Sequence, residues 1–123
     1  MTETISAADY RAALTKKKQP KYRNQKCVHA DGTHFDSKAE MARYDDLLLL
    51  WKAGRISYPL CQPRFVLQDK PRVTYVGDFY YYDKWDDVAI CEDVKGVESQ
   101  AFSLKKRLFV TRCPHVELRI VKM

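Results

Sequence analysis

The sequence predicts a single α/β domain whose main elements follow the order helix, three strands, helix, strand. The chain has 123 residues, a length typical of one domain. A strongly capped helix comes first, and a block rich in β-branched and aromatic residues follows it. A second helical segment and a short alternating segment end the chain. Helices and strands that alternate in this way are typical of a layered α/β fold.

The first main helix has clear start and stop signals. Ser37 is predicted at the N-cap, and Glu40 three residues later completes a capping box. The helix is predicted to run to about Ala53, where Gly54 supplies a C-terminal stop. A shorter helix is predicted earlier, over residues 7–14, because Ser6 and Asp9 form a similar start.

Four strands and a second main helix are predicted in the rest of the chain. The predicted strands cover residues 64–68, 73–82, 88–95 and 117–121. Residues 83–87 are predicted to form the loop of a hairpin between the second and third strands. Gly96 ends the third strand, and the second main helix is predicted over residues 101–112.

The positive charge is concentrated before the predicted core. Of a net charge of +6, residues 1–26 contribute +5, with seven basic and two acidic side chains. We therefore divide the chain into a basic N-terminal arm, residues 1–30, which includes the short helix, and a core, residues 31–123. Six arm cations are candidate DNA contacts: Lys16, Lys17, Lys18, Lys21, Arg23 and Lys26. Such a segment is typical of one that neutralises nucleic-acid phosphates, and a solubilising tail is the alternative.

Several protein classes are excluded by composition and spacing. The longest uninterrupted apolar run is residues 47–51, whereas a membrane-spanning helix needs about 20 apolar residues. The N-terminus does not have the pattern of a secretory signal. The cysteines stand at least 22 positions apart, which suits neither a zinc knuckle nor a disulfide framework: Cys27, Cys61, Cys91 and Cys113. They are predicted to be reduced thiols in a cytoplasmic protein.

Two aspartates are predicted to face each other at the open end of the hairpin. If its strands pair about the middle of the loop, Asp78 lies opposite Asp93. Opposed residues share a face with Cβ atoms about 4.5–5.5 Å apart, and like charges there repel. Lys95 shares this face, whereas Glu92 points to the other side. A divalent cation that bridges both carboxylates would offset the repulsion, and Mg²⁺ prefers such oxygen ligands.

Glu40 is predicted to add a third carboxylate. It lies on the apolar stripe of the first main helix, near Tyr44, Leu47 and Trp51. One explanation is the capping box itself, because acidic residues in the first turn suit the helix dipole. The other is a site that this face of the helix borders, and the two roles are compatible.

These residues, in this order on these elements, resemble the PD-(D/E)XK nuclease superfamily. The matching positions are Glu40 on a first helix, Gly77-Asp78 in place of Pro-Asp, and Asp93-Val94-Lys95 on the next strand. The chain is also similar to a family of small phage-encoded proteins that look like junction-resolving endonucleases. That similarity covers about residues 21–121 and rests on four stretches: residues 21–24, 35–40, 62–65 and 92–96.

The resemblance implies a restriction-endonuclease-like αβββαβ core, with a mixed sheet flanked by helices, that hydrolyses phosphodiester bonds with Mg²⁺ or Mn²⁺. Asp78, Asp93 and the Val94 carbonyl would bind one ion, and Glu40 would contact this ion, its water or a second ion. Lys95 would orient the attacking water or help to deprotonate it. A bound cation lowers the pKa of water and stabilises the pentacoordinate oxygens, which agrees with this implied role.

We expect the substrate to be branched DNA such as a Holliday junction, processed for a phage in the host cytoplasm. A homodimer is expected because two symmetric cuts need two sites. One alternative is a nuclease with another target: a flap, a specific duplex sequence or RNA. The other is a non-catalytic DNA-binding protein on a nuclease fold.

Two further residues have competing interpretations. Lys105 lies at the centre of the apolar stripe of the second main helix. Its aliphatic stem could pack along the stripe with the ammonium in solvent, or the ammonium could contact a phosphate beside the site. Gln62 resembles a position of the phage family, but an amide before Pro63 is also typical of a turn.

Overall fold

A computed structural model of the chain describes residues 4–15, 26–95 and 99–122, with the side chains of residues 14, 15 and 95 outside the description. Within these ranges the helices are α1 (Ala7–Thr15), α2 (Lys38–Lys52) and α3 (Gln100–Arg112). The strands are β1 (Cys27–Val28), β2 (His34–Phe35), β3 (Leu60–Cys61), β4 (Arg64–Gln68), β5 (Val73–Val76), β6 (Phe79–Asp83), β7 (Val88–Lys95) and β8 (Val116–Lys122).

The main sheet has four strands in the order β3-β6-β7-β8. β6 is antiparallel to both β3 and β7, whereas β7 and β8 are parallel. Parallel neighbours need a crossover connection, and α3 lies in that connection here. Two small antiparallel sheets, β1-β2 and β4-β5, accompany the main one. The predicted α/β fold with a mixed sheet is therefore confirmed.

Apolar clusters cover both faces of the main sheet. Successive residues of a strand point to opposite faces, so Ile90 and Cys91 of β7 belong to different clusters. The α2-side cluster consists of Phe35, Tyr44, Leu47, Ile56, Phe79, Tyr81 and Ile90. The α3-side cluster consists of Ile5, Leu67, Val73, Tyr75, Cys91, Phe102, Leu108 and Phe109.

The start of the chain takes part in this packing. Ile5 belongs to the α3-side cluster, and its N–H donates to the side-chain oxygen of Gln68 at 2.8 Å. The Gln68 amide in turn donates to the Ile5 carbonyl at 2.8 Å. α1 packs against α3, and β1 pairs with β2 just after the segment that carries most of the arm cations. The described residues of the predicted arm are therefore attached to the core.

The predicted helices and strands occur where the local signals placed them, with one exception. The Ser37 side chain accepts a hydrogen bond from the Glu40 N–H at 3.1 Å, as the capping box requires, and α2 ends before Gly54 at φ +81°. The exception is residues 73–82, which form two strands in two sheets instead of one. The strands β1, β2 and β3 were not predicted, because two residues carry no periodic pattern.

The chain changes sheet at Gly77 because its backbone passes close to β7 there. The Gly77 N–H donates to the Pro63 carbonyl, whereas the next N–H, that of Asp78, donates to the Glu92 carbonyl. A Cβ atom at position 77 would lie 2.6 Å from the sulfur of Cys91. Only glycine fits this approach without displacement of a neighbour.

We expect Gly77→Ala to lower the free energy of unfolding by about 1–3 kcal/mol, because the added methyl overlaps a packed sulfur. The next nearest atoms lie at 3.4 and 3.5 Å, so removal of the sulfur relieves most of the clash. Gly77→Ala should therefore cost less in a Cys91→Ala background than in the native chain. Urea denaturation of the four proteins measures this coupling, and equal costs in both backgrounds would contradict the packing argument.

Candidate functional site

The register of the predicted hairpin is confirmed for the five residue pairs of β6 and β7, and the predicted pair Asp78–Asp93 lies just beyond the last of them. β6 and β7 pair residue for residue, from Asp83 with Val88 to Phe79 with Glu92. Asp78 comes directly before β6, and its carboxylate accepts a hydrogen bond from the Val94 N–H of β7 at 2.6 Å. This end of the hairpin is where Asp78 and Asp93 were predicted to meet.

Asp93 is buried on the α3 side of β7. The residue is 5% exposed, and the hydroxyl of Tyr75 on β5 donates a hydrogen bond to its carboxylate. Burial, followed by this hydrogen bond, raises the pKa of Tyr75 well above its ordinary value. The phenol therefore stays protonated and orients one carboxylate oxygen. Tyr75 was not a candidate from the sequence, because the predicted strand 73–82 contains both Tyr75 and Asp78.

Glu40 lies in the first turn of α2 and is half-buried, and its predicted capping role is confirmed. The Ser37 hydroxyl donates to its carboxylate at 3.1 Å, which closes the capping box. Burial raises the pKa of Glu40, and the negative charges of Asp36 and Asp93 raise it further. Hydrogen bonds with Ser37 and Asp78 oppose part of that rise. The carboxylate thus caps the helix, shares a hydrogen bond with Asp78 and lies within range of the negative charge of Asp93.

We expect Glu40→Gln to stabilise the metal-free protein at neutral pH. Because the pKa of Glu40 is raised in the folded state, folding favours the protonated form, and stability falls as the pH rises from about 4.3 through the folded pKa. Glutamine cannot ionise and still suits the capping box. The gain should vanish below about pH 4, where both chains carry a neutral group. Urea denaturation in EDTA at several pH values tests this, and a variant less stable than wild type at pH 7 would contradict it.

Glu40 therefore bonds to Asp78 and is influenced by the charge of Asp93, which places all three carboxylates near the same end of the main sheet. We call Glu40, Asp78 and Asp93 the carboxylate cluster. Within the described residues, no three His, Cys, Asp or Glu side chains have the arrangement of a formed metal site. The donor set still fits a hard cation chemically, because its atoms are all oxygen and each ionised carboxylate has about four lone-pair positions.

The predicted lysines are only partly within the description. Lys95 ends β7, opposite Lys122 of β8 in the parallel register, and its side chain lies outside the described residues. Five of the arm cations also lie outside them: Lys16, Lys17, Lys18, Lys21 and Arg23. Lys26 is exposed immediately before β1.

Gln62 and Lys105 take different positions around the cluster. Gln62 is exposed, has φ 56° and donates its backbone N–H to the Asp78 carbonyl at 2.9 Å. Its conformation is that of a turn, and its backbone adjoins Asp78. Lys105 is half-buried on α3 and lines a pocket together with Asp93.

A buried ion pair, missed by sequence analysis, joins α2 to β7 on the opposite face. Glu92 is fully buried, and Arg43 donates two hydrogen bonds to its carboxylate at 2.8 and 2.6 Å. The Tyr81 hydroxyl donates a third. Hydrogen bonding to Glu92 raises the pKa of Arg43 above its ordinary value. Since Arg43 is three residues from Glu40 on α2, this pair connects the helix that carries one carboxylate to the strand that carries another.

Comparison with known proteins assigns the chain to a family. Residues 19–123 match the model of a family described as "Protein of unknown function (DUF1064)", and the chain belongs to that family. No curated protein and no solved structure matches the chain. In the described part of the chain, no helix has the length and apolar character needed to cross a membrane.

Proposed function

We propose that this member of the DUF1064 family is a divalent-metal-dependent DNA endonuclease with a PD-(D/E)XK core. The observation that carries the proposal is the approach of Glu40 to both Asp78 and Asp93 at the end of β7. Neighbouring like charges are destabilising without a compensating group, and functional sites are where such charges are brought together. The resemblance of the sequence motif to that superfamily supports the same conclusion.

Each residue of the cluster has a role in the proposed reaction. Mg²⁺ or Mn²⁺, when bound, supplies a water of lowered pKa and neutralises charge on the phosphate. Asp78 and Asp93, with the Val94 carbonyl, would hold one ion. Glu40, with its raised pKa, would bind a second ion or accept a proton from the attacking water. Lys95, two residues after Asp93, would orient that water.

The substrate we propose is branched DNA, cut as a Holliday junction during phage DNA processing in the host cytoplasm. The basic N-terminal arm supports a polyanionic substrate, because it carries most of the net positive charge. Phosphate contacts of this kind bind any nucleic acid and leave selection to the site. One cluster per chain makes one cut, so paired cuts require a homodimer.

A panel of labelled substrates at matched salt tests this function. It includes a four-way junction, a flap, a nicked duplex, a linear duplex and an RNA hairpin, each with Mg²⁺, Mn²⁺ or EDTA. We expect metal-dependent paired cuts in the junction. Cleavage of another substrate alone would replace the junction as target, and the absence of cleavage with either metal would refute the endonuclease.

A second candidate is a non-catalytic DNA-binding protein. In this candidate the basic arm binds DNA phosphates and the carboxylate cluster holds no ion. The two candidates differ in how the melting temperature responds to metal.

For an endonuclease we expect Mg²⁺ to raise the melting temperature. If the site binds with a Kd of about 1 mM, about 10 mM Mg²⁺ stabilises the fold by about 1.4 kcal/mol, equivalent to several degrees. Asp93→Asn should abolish this shift because it removes a ligand charge. Asp46→Asn, an exposed carboxylate of α2, is the matched control and should keep it. Differential scanning calorimetry measures both, and an unchanged wild-type melting temperature would favour the non-catalytic protein.

A further inference from the structure

A pocket of about 260 Å³ opens beside Asp93, between β5, β7 and the first turns of α3. Its base is buried and consists of Tyr75, Asp93 and Phe102. Its rim is partly or fully exposed and consists of Thr74, Val76, Ser99, Ala101 and Lys105. Asp93 belongs to both the pocket and the carboxylate cluster, so a ligand in the pocket lies next to the proposed site of cleavage.

The rim combines one cation with two hydroxyl groups. Lys105 carries the cation, and its ammonium lies 5.9 Å from the centre of the Tyr10 ring. No ion pair among the described residues joins Lys105 to a carboxylate. Thr74 and Ser99 supply the hydroxyl groups, and both are half-buried. A compact ammonium beside hydroxyl donors is complementary to a phosphate group.

The remaining walls are apolar. Val76 and Ala101 lie at the rim, and the Phe102 ring lies at the base. Such walls suit the sugar that carries a phosphate, whereas a bare inorganic anion would leave them uncovered. The pocket therefore suits a sugar phosphate better than a bare phosphate ion.

We propose that this pocket is a subsite for the nucleotide adjoining the cleaved bond, with the phosphate of that nucleotide bound by Lys105. The inference rests on the proposed function, because it takes the cleaved phosphate to lie at the carboxylate cluster. It adds a specific contact: Lys105 binds a phosphate that is not itself hydrolysed and so positions the strand.

Cleavage of modified DNA tests this contact. Each phosphate near the cut is replaced in turn by a neutral methylphosphonate, and kcat/KM is measured for wild type, Lys105→Ala and Lys105→Arg. We expect Lys105→Ala to lower kcat/KM about tenfold through the loss of a charged hydrogen bond. One adjoining methylphosphonate should lower the wild-type value equally and the Lys105→Ala value no further. Lys105→Arg should retain most activity. Lys52 is exposed at the C-terminal end of α2, away from Glu40, so Lys52→Ala should retain all of it.

A binding measurement separates failure of the subsite from failure of the proposed function. Thymidine 5′-monophosphate and thymidine are titrated into the metal-free protein by NMR. We expect the monophosphate alone to shift amides of β5 and α3, with about tenfold weaker binding to Lys105→Ala than to Lys52→Ala. A wild type that cuts no DNA would refute the endonuclease while this result still supports the pocket. Equal affinity of Lys105→Ala and Lys52→Ala for the monophosphate would overturn the subsite, even in an active nuclease. So would a methylphosphonate that lowers kcat/KM of Lys105→Ala by the same factor as that of wild type at every position.

Discussion

Asp93→Asn is expected to abolish cleavage, lowering kcat by roughly 10³-fold or more, while the protein stays folded. The amide has the same shape as the carboxylate, and its oxygen can still accept the hydrogen bond from Tyr75. What is lost is the negative charge that would hold a divalent cation. Single-turnover cleavage of a junction with saturating Mg²⁺ measures the effect, because it separates the chemical step from binding.

Two controls make this result specific. Asp46→Asn removes the same charge from an exposed position of α2 and should leave the rate unchanged. The binding of junction DNA in Ca²⁺ should be similar for Asp93→Asn and wild type, since the basic arm is intact. If Asp93→Asn cleaved the junction at the wild-type rate, hydrolysis would not depend on the carboxylate cluster.

Arg43→Met is expected to have the largest effect on stability, lowering the free energy of unfolding by about 3–5 kcal/mol. Glu92 is 0% exposed, and its carboxylate depends on Arg43 for the only cation that bonds to it among the described residues. Without that partner, folding must bury an uncompensated charge or protonate it. Small domains are stable by only about 5–15 kcal/mol, so this loss is a large part of the native stability. Chemical denaturation measures it as a drop in the free energy of unfolding.

The double variant keeps this prediction testable even if Arg43→Met alone fails to fold. Glutamine at position 92 carries no charge, but its side-chain oxygen can still accept the hydrogen bond from the Tyr81 hydroxyl. Arg43→Met combined with Glu92→Gln should therefore recover most of the lost stability, and Glu92→Gln alone should cost less than Arg43→Met. An Arg43→Met protein as stable as wild type would mean that the pair is dispensable.

Local signals account for the elements that sequence analysis found. Ser37 and Glu40 define the start of α2 because a capping box needs only a few adjacent residues. The eight residues of β7 carry enough β-prone character to be recognised alone. The break between β5 and β6 was missed, although an isolated glycine in a strand is a known sign of close backbone approach, and Gly77 is that glycine.

The candidate site divides in the same way. Asp78 and Asp93 were predicted to approach each other because a short hairpin loop sets its own register, and the register was confirmed. Their partners were not predictable. Tyr75 is 18 positions from Asp93, and Arg43 is 49 from Glu92, so no local pattern connects either pair.

By itself the sequence determined the helices, the longer strands, the hairpin register and the charge of the N-terminal segment, because each depends on neighbours along the chain. Only the tertiary structure decided which groups contact the carboxylates, how deeply Glu92 is buried and that Lys105 shares a pocket with Asp93. Those contacts depend on how α2, α3 and the small β4-β5 sheet pack against the main sheet. That packing minimises exposed apolar surface over the whole chain and has no signature in any one segment.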